Sequence, residues 1–167
     1  MRAARNTGFS TIELMVALVM SAIVTGLAVP SLSAVVRSNQ IMAANNGFIA
    51  ALGMARSEAV RRNSFVAVGA SGSDGDLARG WQVWVDGNRN GIRDTDEELI
   101  HTQGDLGAVS LTSANPSAVT FNAAGGADSA IVATQIFHVC TSAAGSSGRE
   151  IQINQIGRTS VKQHTCS

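Results

Sequence analysis

Arg5-Asn6-Thr7-Gly8-Phe9-Ser10-Thr11-Ile12-Glu13 is the decisive stretch: a short basic leader passes through one glycine into a long apolar run holding a single acid. Between Arg5 and Arg37 the only charged side chain is Glu13. The 21 residues from Phe9 to Val29 make a helix about 31 Å long, which matches a hydrocarbon core roughly 30 Å thick. The segment reads as a membrane helix. A carboxylate one turn inside such a helix costs about 2.5 to 3.5 kcal/mol on insertion scales, so Glu13 calls for a partner or a function. A secretory signal fits poorly, because its small-residue cleavage pattern follows the apolar run, whereas here the distinctive residues precede it. A plain signal anchor, with Glu13 snorkelling to the interface, is the competing reading of these residues.

The basic leader, Gly8, Phe9 and Glu13 together resemble the processing site of the type IV prepilin family. The resemblance implies cleavage between Gly8 and Phe9 by prepilin peptidase and N-methylation of Phe9. It also implies that Glu13 pairs with the amine of a neighbouring subunit's first residue, setting register during assembly. The expected organisation is a leader over 1–8, a transmembrane and assembly helix over 9–36, and a head domain over 37–167. On this reading the chain crosses the bacterial inner membrane once, with its head in the periplasm, before it enters a fibre.

The remaining residues, about 130, suffice for one core but not for two domains. The chain carries 12 basic and 12 acidic side chains, and loss of Arg2 and Arg5 with the leader leaves 10 basic against 12 acidic. No global basic bias advertises nucleic acid. Cys140 and Cys166 are the only cysteines, and in an exported domain such a pair reads as a disulfide. Closing a loop of about 25 residues, it contributes roughly 3 kcal/mol by pinning the C-terminus. A zinc pair is disfavoured, since two thiols lack further ligands at suitable spacing.

Past Pro30, where a kink or locally opened hydrogen bonding is expected, Ile41, Ala44, Phe48, Leu52, Ala55 and Ala59 recur at intervals of three and four. Arg37, Gln40, Asn46, Arg56 and Arg61 occupy the opposite face. This half is amphipathic and should lie against a sheet, ending near Asn63, where Asn can take the left-handed C-terminal conformation. Beyond Asn63 the period falls to two. Strands are predicted at 64–70, 80–86, 97–102, 108–112, 118–122, 135–140, 149–155 and 158–162, with exposed loops at 69–80, 123–130 and 141–148. The fold class is α+β: a type IV pilin-like long helix, half membrane and half domain, packed on an antiparallel sheet.

Three further blocks narrow the family. Ala55-Arg56-Ser57-Glu58-Ala59-Val60-Arg61-Arg62-Asn63, then Gly80-Trp81-Gln82-Val83-Trp84-Val85-Asp86, then Gly157-Arg158 before a final cysteine resemble the minor pilin and pseudopilin group called GspH/FimT. The resemblance implies a low-abundance subunit of a type IV pilus or a type II secretion pseudopilus, with other pilins or pseudopilins as partners. Read as residues alone, Arg56, Glu58, Arg61 and Arg62 are a solvated helix face with ion pairs three and four apart.

Asp86, Asn88, Asn90, Gly91, Asp94 and Glu97 satisfy a written calcium-loop pattern, with acids or amides at positions one, three and five, glycine at six and an acid at twelve. Strand flanks and two arginines inside the loop speak for the alternative, a plain β-hairpin connection whose Asn and Asp residues bond the backbone. No enzyme constellation is present: there is no nucleophile elbow, no phosphate-binding glycine loop and no histidine-rich metal spacing. His101, His138 and His164 are scattered over separate strands or the tail. Trp81 and Trp84 differ by three, which puts them on opposite faces of a strand, one in the core and the other partly exposed.

Some FimT-like proteins are linked to DNA uptake through a basic Gly-Arg-x-Arg tail. Here Gly157-Arg158-Thr159-Ser160 lacks the second arginine. A DNA-contacting set of Arg149, Arg158 and Lys162 is therefore thin, and its few cations give weak, salt-sensitive binding. The competing reading is that Arg158 guards a strand edge.

Overall fold

The computed structural model describes residues 9–72, 74–113, 118–128, 134–141 and 145–166, leaving aside the side chains of 26–31. Gly8 and the rest of the leader lie outside the described residues. The chain divides into two compact units, Met1–Arg37 and Ser38–Ser167.

One helix, α1, runs from Thr11 to Arg62 and is continuous through position 30. It stops at Asn63, whose φ is 52°. The Asn63 amide donates to Val60 O at 3.3 Å and the Ser64 amide to Ala59 O at 3.1 Å, a paired closure that satisfies carbonyls the ending helix would otherwise orphan.

All eight expected strands form: β1 (Val66–Ala70), β2 (Trp81–Val85), β3 (Leu99–Gln103), β4 (Val109–Ser113), β5 (Val119–Phe121), β6 (Thr134–Thr141), β7 (Ser147–Asn154) and β8 (Thr159–Thr165). They divide between two four-stranded antiparallel sheets, in the orders β3-β2-β1-β5 and β4-β6-β7-β8. A short 3-10 turn at Leu77–Arg79, begun by an Asp76 side chain that accepts from the Ala78 amide, lies in the connection read as an exposed loop, and it buries Leu77.

Both sheets meet the second half of α1 in one core. The apolar stripe at Ile41, Ala44, Phe48, Leu52, Ala55 and Ala59 is buried, with Val68 and Val83 of the first sheet and Leu111, Phe137, Val139, Ile151 and Ile153 of the second. Phe48 is the pivot: its ring meets Trp81 edge-on at 5.2 Å and Phe137 at 4.9 Å, so one side chain joins helix and both sheets.

The tryptophan expectation needs correction. Trp81 faces the core, but Trp84, although outside that cluster, is only 1 % exposed. It is buried on the other face of the first sheet, where it lines one cavity with Gly91, Ile92 and Ala118. The connection after β2 folds back over that face, and Gly69 on β1 leaves room beneath: a Cβ there would approach the Trp84 ring to 2.8 Å.

Candidate functional site

In the N-terminal half of α1, Ile12, Leu14, Met15, Val16, Leu18, Val19, Met20, Ile23 and Val24 are all 51–67 % exposed. No stripe separates an inward from an outward side. The hydroxyls in this segment are satisfied within the helix: Ser21 donates to Ala17 O at 2.7 Å and Thr25 to Ser21 O at 2.8 Å. Such back-bonding is what a polar side chain needs in a medium without water. Glu13 stands in the first turn, where the helix dipole favours an acid by about 0.3–1 kcal/mol, and Phe9 precedes the helix and is exposed. Among the described residues no helix is long and apolar enough to cross a membrane. The expected span 9–36 includes positions 26–31, whose side chains lie outside the described set.

At the other end of α1 the basic residues have distinct tasks. Arg61 and Arg62 both pair with Glu58, and Arg62 reaches on to Glu98 at 2.7 Å, tying the helix end to the approach of β3. Hydrogen bonds from Arg61 and then Arg62 hold the Glu58 carboxyl below its usual range, and a bond from Arg62 does the same for Glu98. Arg56 differs from the expected ion-paired surface residue. Its guanidinium donates to Gly157 O and Ile156 O, both at 3.1 Å, and so anchors the β7–β8 turn to the helix. Gly157 has φ 74°, and a Cβ there would lie 2.3 Å from Gly125 O. Two of the sequence blocks, around Arg56 and at Gly157-Arg158, thus meet at one joint although about a hundred residues separate them.

The loop from Asp86 to Glu97 is held by its own side chains. Asp86 is fully buried and accepts from the Asn90 amide at 3.1 Å, the Gly91 amide at 3.2 Å and the Thr120 hydroxyl at 3.1 Å. Glu97 accepts from the Gly87 and Asp94 amides, and Asp94 from the side-chain amides of Asn88 and Asn90. Arg89 takes φ 61° and places its guanidinium 4.6 Å from the centre of the Phe65 ring. The residues singled out for calcium do converge, and each of their carboxylates receives protein donors, as the hairpin reading requires.

The three cations considered for DNA do not converge. Lys162 pairs in register with Glu150 while Arg149 pairs with Gln163, so strand alternation puts Arg149 and Lys162 on opposite faces of the second sheet. Arg158 lies in the β7–β8 turn, its amide held by the Asn154 side chain at 2.9 Å.

Cys140 and Cys166 are bonded, with Cα atoms 5.8 Å apart, as expected from the sequence. Beside them is a grouping that sequence reasoning missed. His138 and His164, treated as scattered, stack with ring centres 4.0 Å apart, and His138 Nε2 lies 3.3 Å from Glu150 Oε2. The signal that could have found it is the repeat His138-Val139-Cys140 and His164-Thr165-Cys166: a bond between the cysteines brings the histidines two residues before them together as well.

A long helix whose second half lies across two antiparallel sheets, preceded by an all-round apolar segment with one acid, defines the pilin-like class of α+β protein. The chain belongs to the family described as type II transport protein GspH, whose model matches residues 44–157. That family consists of structural subunits and not enzymes. The fold is similar to that of the type IV minor pilin FimU of Pseudomonas aeruginosa strain PAO1. In one crystal form the identity is 20 %, the TM-score 0.62, and the match covers 78 % of this chain and 97 % of that one. A second crystal form gives 20 % identity and a TM-score of 0.60 over 75 % of this chain and 99 % of the other. No curated protein matches the chain.

Proposed function

We propose that this protein is a minor pilin or pseudopilin subunit that is cleaved between Gly8 and Phe9, methylated on Phe9, held in the inner membrane by its N-terminal helix, and then assembled through that helix into a type IV pilus or a type II secretion pseudopilus. The observation that carries the reading is the helix segment from Ile12 to Val24, apolar and exposed on every side. A surface of that kind is stable only in lipid or against equivalent helices of other subunits. Placement in an initiating or tip complex follows from the family resemblance. Glu13, the one charge in the segment, supplies what Leu or Val could not: a carboxylate that pairs with the first-residue amine of the neighbouring subunit, offsets its own insertion cost and sets direction.

The test is Glu13→Val. The variant should be processed and keep the melting temperature of its head, yet be missing from sheared fibres and from pull-downs of neighbouring subunits. Normal incorporation of Glu13→Val would sink the proposal.

A further inference from the structure

His138, Glu150 and His164 lie on three successive strands of one sheet, β6, β7 and β8. His138 sits directly across from Glu150, and His164 across from Gly148. Side chains two apart on a strand share a face, so His138 shares a face with Cys140, and His164 with Cys166. The disulfide therefore gathers the two imidazoles onto one face. Gly148 makes this approach possible, because a Cβ there would lie 2.5 Å from Cys166 Sγ and 2.9 Å from Cys140 Sγ. One ligand atom from each of the three side chains falls within 4.8 Å of the others, and all three side chains are partly open to solvent.

We propose that His138, Glu150 and His164 bind a divalent metal ion of borderline softness, zinc being the representative, with water completing the shell. Two neutral imidazoles and one carboxylate are a donor set that zinc takes in open, water-bearing sites. Metal–nitrogen and metal–oxygen bonds of about 2.0–2.2 Å in a tetrahedron put ligand atoms roughly 3.3–3.5 Å apart. His138 Nε2 and Glu150 Oε2 are already 3.3 Å apart, while His164 Nδ1 stands at 4.0 Å from the same oxygen. The Gln152 side chain donates to Glu150 Oε1 at 2.6 Å, which steadies the carboxylate and leaves Oε2 for the ion. Binding requires one movement: imidazole lone pairs lie in the ring plane, and the rings are 3° from parallel, so one ring must turn and the stack must open. Lys162, paired across from Glu150 on β8, adds positive charge that opposes the ion and tunes the affinity down.

The experiment uses the full, untagged chain in detergent with its disulfide intact, titrated calorimetrically with zinc chloride. One saturable site per chain is expected, weakened at least about tenfold by His138→Gln or His164→Gln and strengthened by Lys162→Ala. Asp94→Asn, in the separate acidic loop, should leave the zinc titration unchanged. Circular dichroism melts show that each variant compared is folded, and His138→Gln keeps a donor opposite Glu150. Absence of a saturable site, a folded His138→Gln that binds zinc as the parent does, or loss of the site in Asp94→Asn would each overturn the proposal.

Discussion

The two halves of α1 have opposite fates. From Ile12 to Val24 the large apolar side chains are 51–67 % exposed, whereas Ile41, Ala44, Phe48, Leu52, Ala55 and Ala59 are 0–7 % exposed. The second half alternates its apolar stripe with Arg37, Gln40, Asn46, Arg56 and Arg61, so one face enters the core and the other meets water. The first half has no polar face to turn outward. Among the described residues its large apolar side chains stay exposed, and on the proposed reading lipid or neighbouring subunits cover them. On the proposed reading, one helix serves folding through one period of its sequence and assembly through the lack of one.

The largest contrast to test is between a core and an exposed apolar residue of that helix. Phe48→Ala removes the ring that joins helix and both sheets and should destabilise the head by about 3–5 kcal/mol. Leu18→Ala should leave the head's denaturant midpoint unchanged and show its effect only in fibre incorporation. Chemical denaturation of both variants checks this, and a large loss of head stability in Leu18→Ala would break the comparison.

Next in size is Cys166→Ser. Loss of a bridge across 26 residues should cost roughly 3 kcal/mol and release the end of β8. Melting of the reduced parent should then coincide with that of the variant. Intact-mass analysis of unreduced protein from the periplasm tests the bridge itself, and two free thiols there would show that the tail is held by other means.

The smallest effect concerns the helix end. The Glu58 carboxyl is held low by Arg61 and Arg62, so its folded value lies below its unfolded value of about 4.3. Its contribution is therefore complete above that value and is lost as pH falls through the lower, folded one. The melting-temperature advantage of the parent over Glu58→Gln should be small at neutral pH and vanish in acid. A difference that stays constant all the way from neutral pH into acid, with no decline as the carboxyl protonates, would assign the effect to packing and not to charge.

Much was legible in the one-dimensional pattern. Apolar residues at intervals of three and four, Asn63 at the stop, and period-two alternation afterwards suffice to place the helix and all eight strands, because these signals are local. The pairing of Cys140 with Cys166 was legible too, since a lone pair leaves no other partner. Features that depend on which strands become neighbours were not. The division into two sheets, the burial of Trp84 under a returning loop, the bonding of Arg56 to the Gly157 turn, and the placing of Glu150 opposite His138 all depend on contacts between residues far apart in the chain. Alternation tells which face a side chain takes, but only tertiary packing decides what stands opposite that face. Nothing local in the sequence encodes the register that aligns His138 with Glu150 or the fold-back that covers Trp84.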